Sequence, residues 1–154
     1  MKGKLEIIDK LNYLLADELT AVNQYFVHAE ECGDWGYEVL HGSIEKRSID
    51  EMKHAEKLIS RILFLGGTPV VDKLNKMHIA DNVLGMLEND KKAEEDAIKD
   101  YNEAIKLATD LLDHGTKELL DDILKDEEDH IDYIEAQLEQ IEQMGLEQYL
   151  TTVK

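Results

Sequence analysis

The chain has 154 residues, 43% hydrophobic and 34% charged, with 17 Lys and Arg against 35 Asp and Glu, for a formal net charge of −18. That balance reads as one soluble folded domain, residues 1–154, and excludes a disordered chain; the excess negative charge excludes general nucleic-acid binding. No stretch approaches the roughly 18 apolar residues of a membrane span, the opening MKGKLEIIDKL lacks an apolar signal core, and a lone Cys32 excludes an internal disulfide framework or CxxC motif. The expected compartment is the cytoplasm, and the expected partners are cationic, metal ions among them.

Apolar residues recur at helical spacing from the start. Leu5, Ile8, Leu11, Leu15, Leu19, Val22, Phe26 and Ala29 step by three and four, which predicts a helix of roughly 29 residues and ~43 Å. It stops at the Cys32-Gly33-Asp34-Trp35-Gly36 turn. A second helix is predicted from about Tyr37 to Leu65, ending at Gly66-Gly67-Thr68-Pro69. The stretch to about Asp81 has no clear period and is long for a bundle loop, so it reads as a crossover running the length of a bundle. A third helix is predicted from about Asn82 to Leu112, and a fourth from Thr116, read as its N-cap, to about Met144. Gly145 breaks it, and Leu146 to Val153 form a short fifth helix. Leu146, Tyr149 and Leu150 are expected to pack against neighbouring subunits, having no evident place in a four-helix core. Two helical hairpins joined by one long connection give an all-α four-helix bundle.

The two halves match at an offset of 76 residues. Apolar pairs such as Ile44 and Leu120, Leu58 and Ile134, or Val22 and Ile98 are cheap among amphipathic helices. The polar coincidences carry more: Glu18 falls on Glu94, Glu51 on Glu127, and His54 on His130, while Tyr25 falls on Tyr101. On a helical wheel Glu51 lies within roughly 20° of Ile44, in the middle of the buried stripe, and His54 some 60° to one side. Glu127 and His130 hold the same places relative to Leu120 and Ile134. Glu18 lies among Leu11, Leu15, Val22 and Tyr25, and Glu94 among Leu87, Ala97, Ile98 and Tyr101. Four carboxylates and two imidazoles therefore aim at a core.

Each isolated buried ion costs several kcal/mol even after relaxation, and buried charges persist only when paired or metal-bound. Lys and Arg are nearly absent from these stripes, so no basic partner is expected. Two divalent cations balance four glutamates, and Glu oxygen with His nitrogen suits iron or manganese. A third Glu-x-x-His, Glu38 to His41, lies on another face without a matching core glutamate and reads as surface. The midpoint of Glu18 and Glu51 falls in the first turn. That of Glu94 and Glu127 falls short of Gly115, so the second pair is expected to be staggered.

The stretches DELTAVNQYFVHAE, SIDEMKHAEKLISRILFLGGTP and DEEDHIDYIEAQLEQIEQMGLEQYL, with the opening MKG, resemble the bacterioferritins, the haem-containing bacterial branch of the ferritin family, over nearly the whole chain. Its Glu plus Glu-x-x-His arrangement is a known signature of ferritin-like bundles. The resemblance implies a di-iron ferroxidase centre at Glu18, Glu51, His54, Glu94, Glu127 and His130. It also implies a ferritin-like bundle in a 24-subunit hollow shell, built from two-fold dimers, that stores ferric mineral. At Met52 it implies an axial ligand to haem b, one haem per two subunits, with Leu19, Val22, Asn23 and Phe26 as pocket walls and Lys53 near a propionate. Position 46, a histidine in some members, is Lys46, which departs from the pattern for an accessory inner iron site, although Asp50 is kept.

On this reading two irons per subunit are oxidised by O2 or hydrogen peroxide, and a ferredoxin-type reductant releases the store. Glu51 and Glu127, central in their stripes, should bridge; Glu18 with His54 and Glu94 with His130 should each terminate one iron. Tyr25, on the face of Glu18, is expected to hydrogen-bond the centre or donate an electron, and Asp50, Asp126 and Asp129 are candidates to hold the imidazoles. The competing classes are a haem-binding or structural bundle without storage, and a non-storage di-metal oxidase or peroxidase.

Overall fold

The computed structural model describes residues 1–154. Five helices follow in order: α1 Leu5–Asp34, α2 Glu38–Phe64, α3 Val83–Asp110, α4 His114–Met144 and α5 Leu146–Thr152. Helices α1 and α2 form one antiparallel hairpin, α3 and α4 another. Side-chain bonds from Tyr25 to Glu94 and from Tyr101 to Glu18 show α3 running antiparallel to α1. The chain therefore needs residues 65–82 to travel from one end of the bundle to the other, as the missing periodicity suggested.

That crossover has no helix of its own, so its backbone groups need other partners. One face of α1 supplies several. Asn12 bonds Thr68 and Val70, Thr20 accepts from Asn75 N, Gln24 accepts from His78 N, and His28 Nε2 accepts from Ala80 N.

The core is split. One apolar cluster gathers Leu11, Leu15, Leu58, Ile62, Tyr101 and Ile123; a second gathers Tyr25, Leu40, Ile44, Leu87, Ile134 and Tyr149. Between the two clusters the long helices bury Glu18, Glu51 and His54, Glu94, and Glu127 and His130, with Gln24, Arg47 and Asp90 among the polar residues beside them.

Two local expectations are corrected. The N-cap of α4 is Asp113, not Thr116. Asp113 accepts from both the N–H and the hydroxyl of Thr116, and Arg61 bonds both residues. Arg61 reaches them across Gly115, where a Cβ would stand 2.7 Å from its Nη2. The tail is the second correction. Leu146, Tyr149 and Leu150 pack on their own bundle, with Tyr149 fully buried and its hydroxyl donating to Gln137 at 2.7 Å. Gly145 adopts φ +84, which a residue with a Cβ rarely reaches. There the chain leaves α4, and α5 closes the bundle end, where Val39 N donates to Val153 O.

Tyr149→Phe removes one buried hydrogen bond and leaves Gln137 short of a donor, and is expected to cost about 1–2 kcal/mol. Chemical denaturation should show it; unchanged stability would mean that α5 contributes only through its apolar contacts.

Candidate metal centre

Helices α1 and α3 each bring one glutamate into the polar layer, and α2 and α4 each bring a glutamate with a histidine one turn on. Glu18, Glu51, His54 and Glu127 form one group with ligand atoms within 4.8 Å of one another, and Glu51, Glu94, Glu127 and His130 form the second. Glu51 and Glu127 belong to both, as their central places in the stripes predict. The expected stagger of the second pair is absent, because all four carboxylates meet in one layer.

Each of the six residues buries one ligand atom that makes no hydrogen bond: Glu18 Oε2, Glu51 Oε1, His54 Nδ1, Glu94 Oε2, Glu127 Oε1 and His130 Nδ1. They are six of only nine such side-chain atoms in the chain. His54 Nδ1 lies 3.1 Å from Glu127, and His130 Nδ1 lies 2.9 Å from Glu51, but these approaches lack hydrogen-bond direction. A buried polar atom left without a partner is costly, and six converging lone pairs fit a pair of cations.

Outer contacts hold the ligands in place. His54 Nε2 bonds Asp126 at 2.8 Å, and His130 Nε2 bonds Asp50 at 3.1 Å. Each ring thus turns Nδ1 inward, the arrangement that orients metal-binding histidines. Asp129 lines a cavity beside His130 and makes no bond to a ring. Tyr25 donates to Glu94 at 2.8 Å, as one of its expected roles requires. Tyr101 donates likewise to Glu18. Burial and the adjacent carboxylates raise both phenols well above their ordinary range, so both hydroxyls stay donors. Asp50 and Asp126 are also 76 positions apart, as are Tyr25 and Tyr101, so the repeat extends beyond the ligands. That offset was the available signal for Tyr101.

The surroundings hold what the stripes did not disclose. Arg47 is buried beside the layer, although, as expected, no Lys or Arg pairs with any of the six ligands. It pairs with buried Asp90, which also accepts from Gln24 and contacts His28. Glu38 is exposed as expected, while His41 is half-buried, its Nδ1 on Ala29 O. Met52 is 44% exposed, outside the metal layer. A cavity of about 340 Å³ between α1, α3 and the crossover reaches Glu18, Glu51 and Glu127.

The electrostatics favour exchange of protons for metal. Burial and its carboxylate neighbours push Glu51 well up, and burial with Glu127 beside it pushes Glu94 up to about 8. Glu127 is held below its ordinary value, despite burial, by the two imidazoles. Both imidazoles are raised far above theirs, again against burial, by the carboxylates around them.

A model of the Ferritin-like domain family matches residues 8–144. The chain is similar to the bacterioferritin of Brucella melitensis, 43% identical over 149 residues, covering 97% of this chain and 92% of that protein. It is likewise similar to the bacterioferritins of Rhodobacter capsulatus, 39% identical over 94% of this chain and 90% of the relative, and of Streptomyces coelicolor, 40% identical over 99% and 92%.

Burial and mutual repulsion raise the proton affinity of Glu51 and Glu94, and the carboxylates raise that of both imidazoles, so a divalent cation competes with protons for the metal-free centre. Affinity for Zn2+ should therefore fall as pH falls below about 8, with proton release on binding. Calorimetry in buffers of different ionisation enthalpy measures that release; pH-independent binding without it would contradict the assignment.

Proposed function

The chain belongs to the ferritin family, in its bacterioferritin branch, and we propose that it oxidises Fe(II) at the six-residue centre and stores the ferric product in a hollow shell. The carrying observation is the set of six buried ligand atoms without hydrogen bonds, one from each predicted residue. Names alone would not locate the chemistry; the relatives' shared name, bacterioferritin, agrees with it.

In this reading Fe(II) is the substrate. Glu18 with His54 holds one ion, Glu94 with His130 the other, and Glu51 and Glu127 bridge, which keeps two metals about 4 Å apart. Each Fe(II) loses one electron, and the pair passes to one molecule of O2 or hydrogen peroxide. The side chains do the positioning. Asp50 and Asp126 fix the imidazoles, and Tyr25 and Tyr101 fix the terminal glutamates. On this reading Tyr25, which bonds Glu94, would pass an electron to the oxidant beyond the two that the iron pair supplies.

The shell is read as a cytoplasmic assembly of 24 subunits built from two-fold dimers, with iron release driven by a ferredoxin-type reductant. Exposed Phe26, Val27, Met52, Leu63, Phe64 and Leu74 are apolar surface that a closed assembly would cover. No helix is long and apolar enough to cross a membrane.

Haem b is the second cofactor of this reading. Met52 carries an exposed thioether, and Phe26 on α1 is 40% exposed. An apolar surface with a soft sulfur ligand fits haem iron, and a two-fold axis would pair two copies of Met52 on one haem. Bound haem would supply one-electron transfer.

Anaerobic protein given Fe(II) and then air should show a fast oxidation phase saturating near two irons per subunit. Glu18→Ala or His130→Ala should abolish that phase, and a parental initial rate in either would refute the assignment. Haem-replete protein should show a low-spin spectrum near one haem per two chains, lost in Met52→Leu while fast iron oxidation persists. A spectrum that survives the substitution would remove Met52 as the ligand.

A further inference from the structure

The six ligands, with the two tyrosines and two aspartates that hold them, obey the internal repeat, but their surroundings do not. The offset of 76 takes Arg47 to Ile123 and Asp90 to Leu14. Leu14 and Ile123 are fully buried in the apolar cluster that holds Tyr101. Beside Tyr25 the same two positions carry charge. The Arg47 guanidinium stands 4.3 Å from the Tyr25 ring centroid, its Nη1 donates to Asp90 at 3.0 Å, and its Nη2 has no acceptor. Tyr25 in turn donates to Glu94.

Arg47 cannot swing away from this place. Asp90 is fixed by Gln24 and His28, and His28 Nε2 accepts from Ala80 N, which puts the ring proton on Nδ1, toward Asp90. A second cation lies on the same side: Lys46 bonds Asp50, the partner of His130. The repeat places Asp122 at the position equivalent to Lys46. Asp126, the partner of His54, pairs with no Lys or Arg.

We propose that the two metal positions are unequal, the one at Glu18 and His54 filling before the one at Glu94 and His130, and that Arg47 is the positioning residue that sets this order. The inference rests on the di-metal reading above. A divalent ion at Glu94 meets a fixed positive charge across a buried tyrosine ring, where the interior screens poorly. Asp90 offsets part of that charge. Yet the guanidinium, not the carboxylate, stacks on the ring whose hydroxyl holds Glu94. On the Glu18 side the equivalent positions are Leu14 and Ile123, in the apolar cluster of Tyr101, which exert no such field.

Anaerobic titration of the assembled full-length protein with Co2+, followed by its visible absorption, tests the order. Two steps are expected, their affinities differing by roughly tenfold or more. His54→Ala should remove the tighter step and His130→Ala the weaker. Arg47→Gln should tighten the weaker step and close the gap, and Arg47→Lys should keep it. Asp90→Asn, which leaves Arg47 less compensated, should widen the gap. A merely structural role would move both steps in one direction in Arg47→Gln and Asp90→Asn. Equal steps in the parent, or loss of the tighter step in His130→Ala, would overturn the proposal even if Arg47→Gln failed to fold. A weaker step unmoved by Arg47→Gln would remove Arg47 from it. Failure to bind Co2+ at either position would instead sink the di-metal reading itself.

Discussion

Four glutamates and two histidines occupy one layer of the bundle, with an apolar cluster on either side. Burying that many ionisable groups without compensation is prohibitive, and no Lys or Arg forms an ion pair with any of the six ligand residues. The raised proton affinities of Glu51, Glu94 and both imidazoles show how strongly the layer calls for positive charge, and its geometry suits cations in the same role. Much else follows from this constraint. The helices are long because each must present apolar residues above and below the layer. Interhelical bonds concentrate at the same height, where Tyr25 and Tyr101 tie α1 to α3 and the His–Asp pairs tie α2 to α4.

The internal repeat has a physical meaning in these terms. Each half supplies one glutamate, one tyrosine, one Glu-x-x-His and one aspartate, and every Tyr–Glu and His–Asp bond joins the two halves. Neither half satisfies its own ligands. The departures from symmetry at Arg47 and Asp90 are confined to what surrounds the layer.

The six ligands were legible because ionisable residues stood at apolar positions of two matching stripes, a pattern that needs no knowledge of contacts. The crossover was legible by its lack of period. The tail was not. Leu146, Tyr149 and Leu150 announce an apolar face, but the direction the chain takes after Gly145 depends on a backbone angle that composition does not encode. Asp113 and Thr116 are both good capping residues three positions apart, and Arg61, 52 positions before Asp113, decides between them. Arg47 was not legible because a basic residue on an amphipathic helix normally carries its charge to water. Its burial depends on Asp90, 43 residues on.

Each prospective metal draws ligands from both hairpins: Glu127 joins Glu18, Glu51 and His54, while Glu51 joins Glu94, Glu127 and His130. The hairpins themselves rest on local contacts, which form early and at little cost in loop closure. Their docking is the distant event, since residues 65–82 must first be drawn along the bundle. The full set of four ligands for either metal therefore exists only once the hairpins have docked. Each hairpin carries three ligands of its own metal, so a cation can engage one hairpin by itself and gains its fourth ligand only when the two dock.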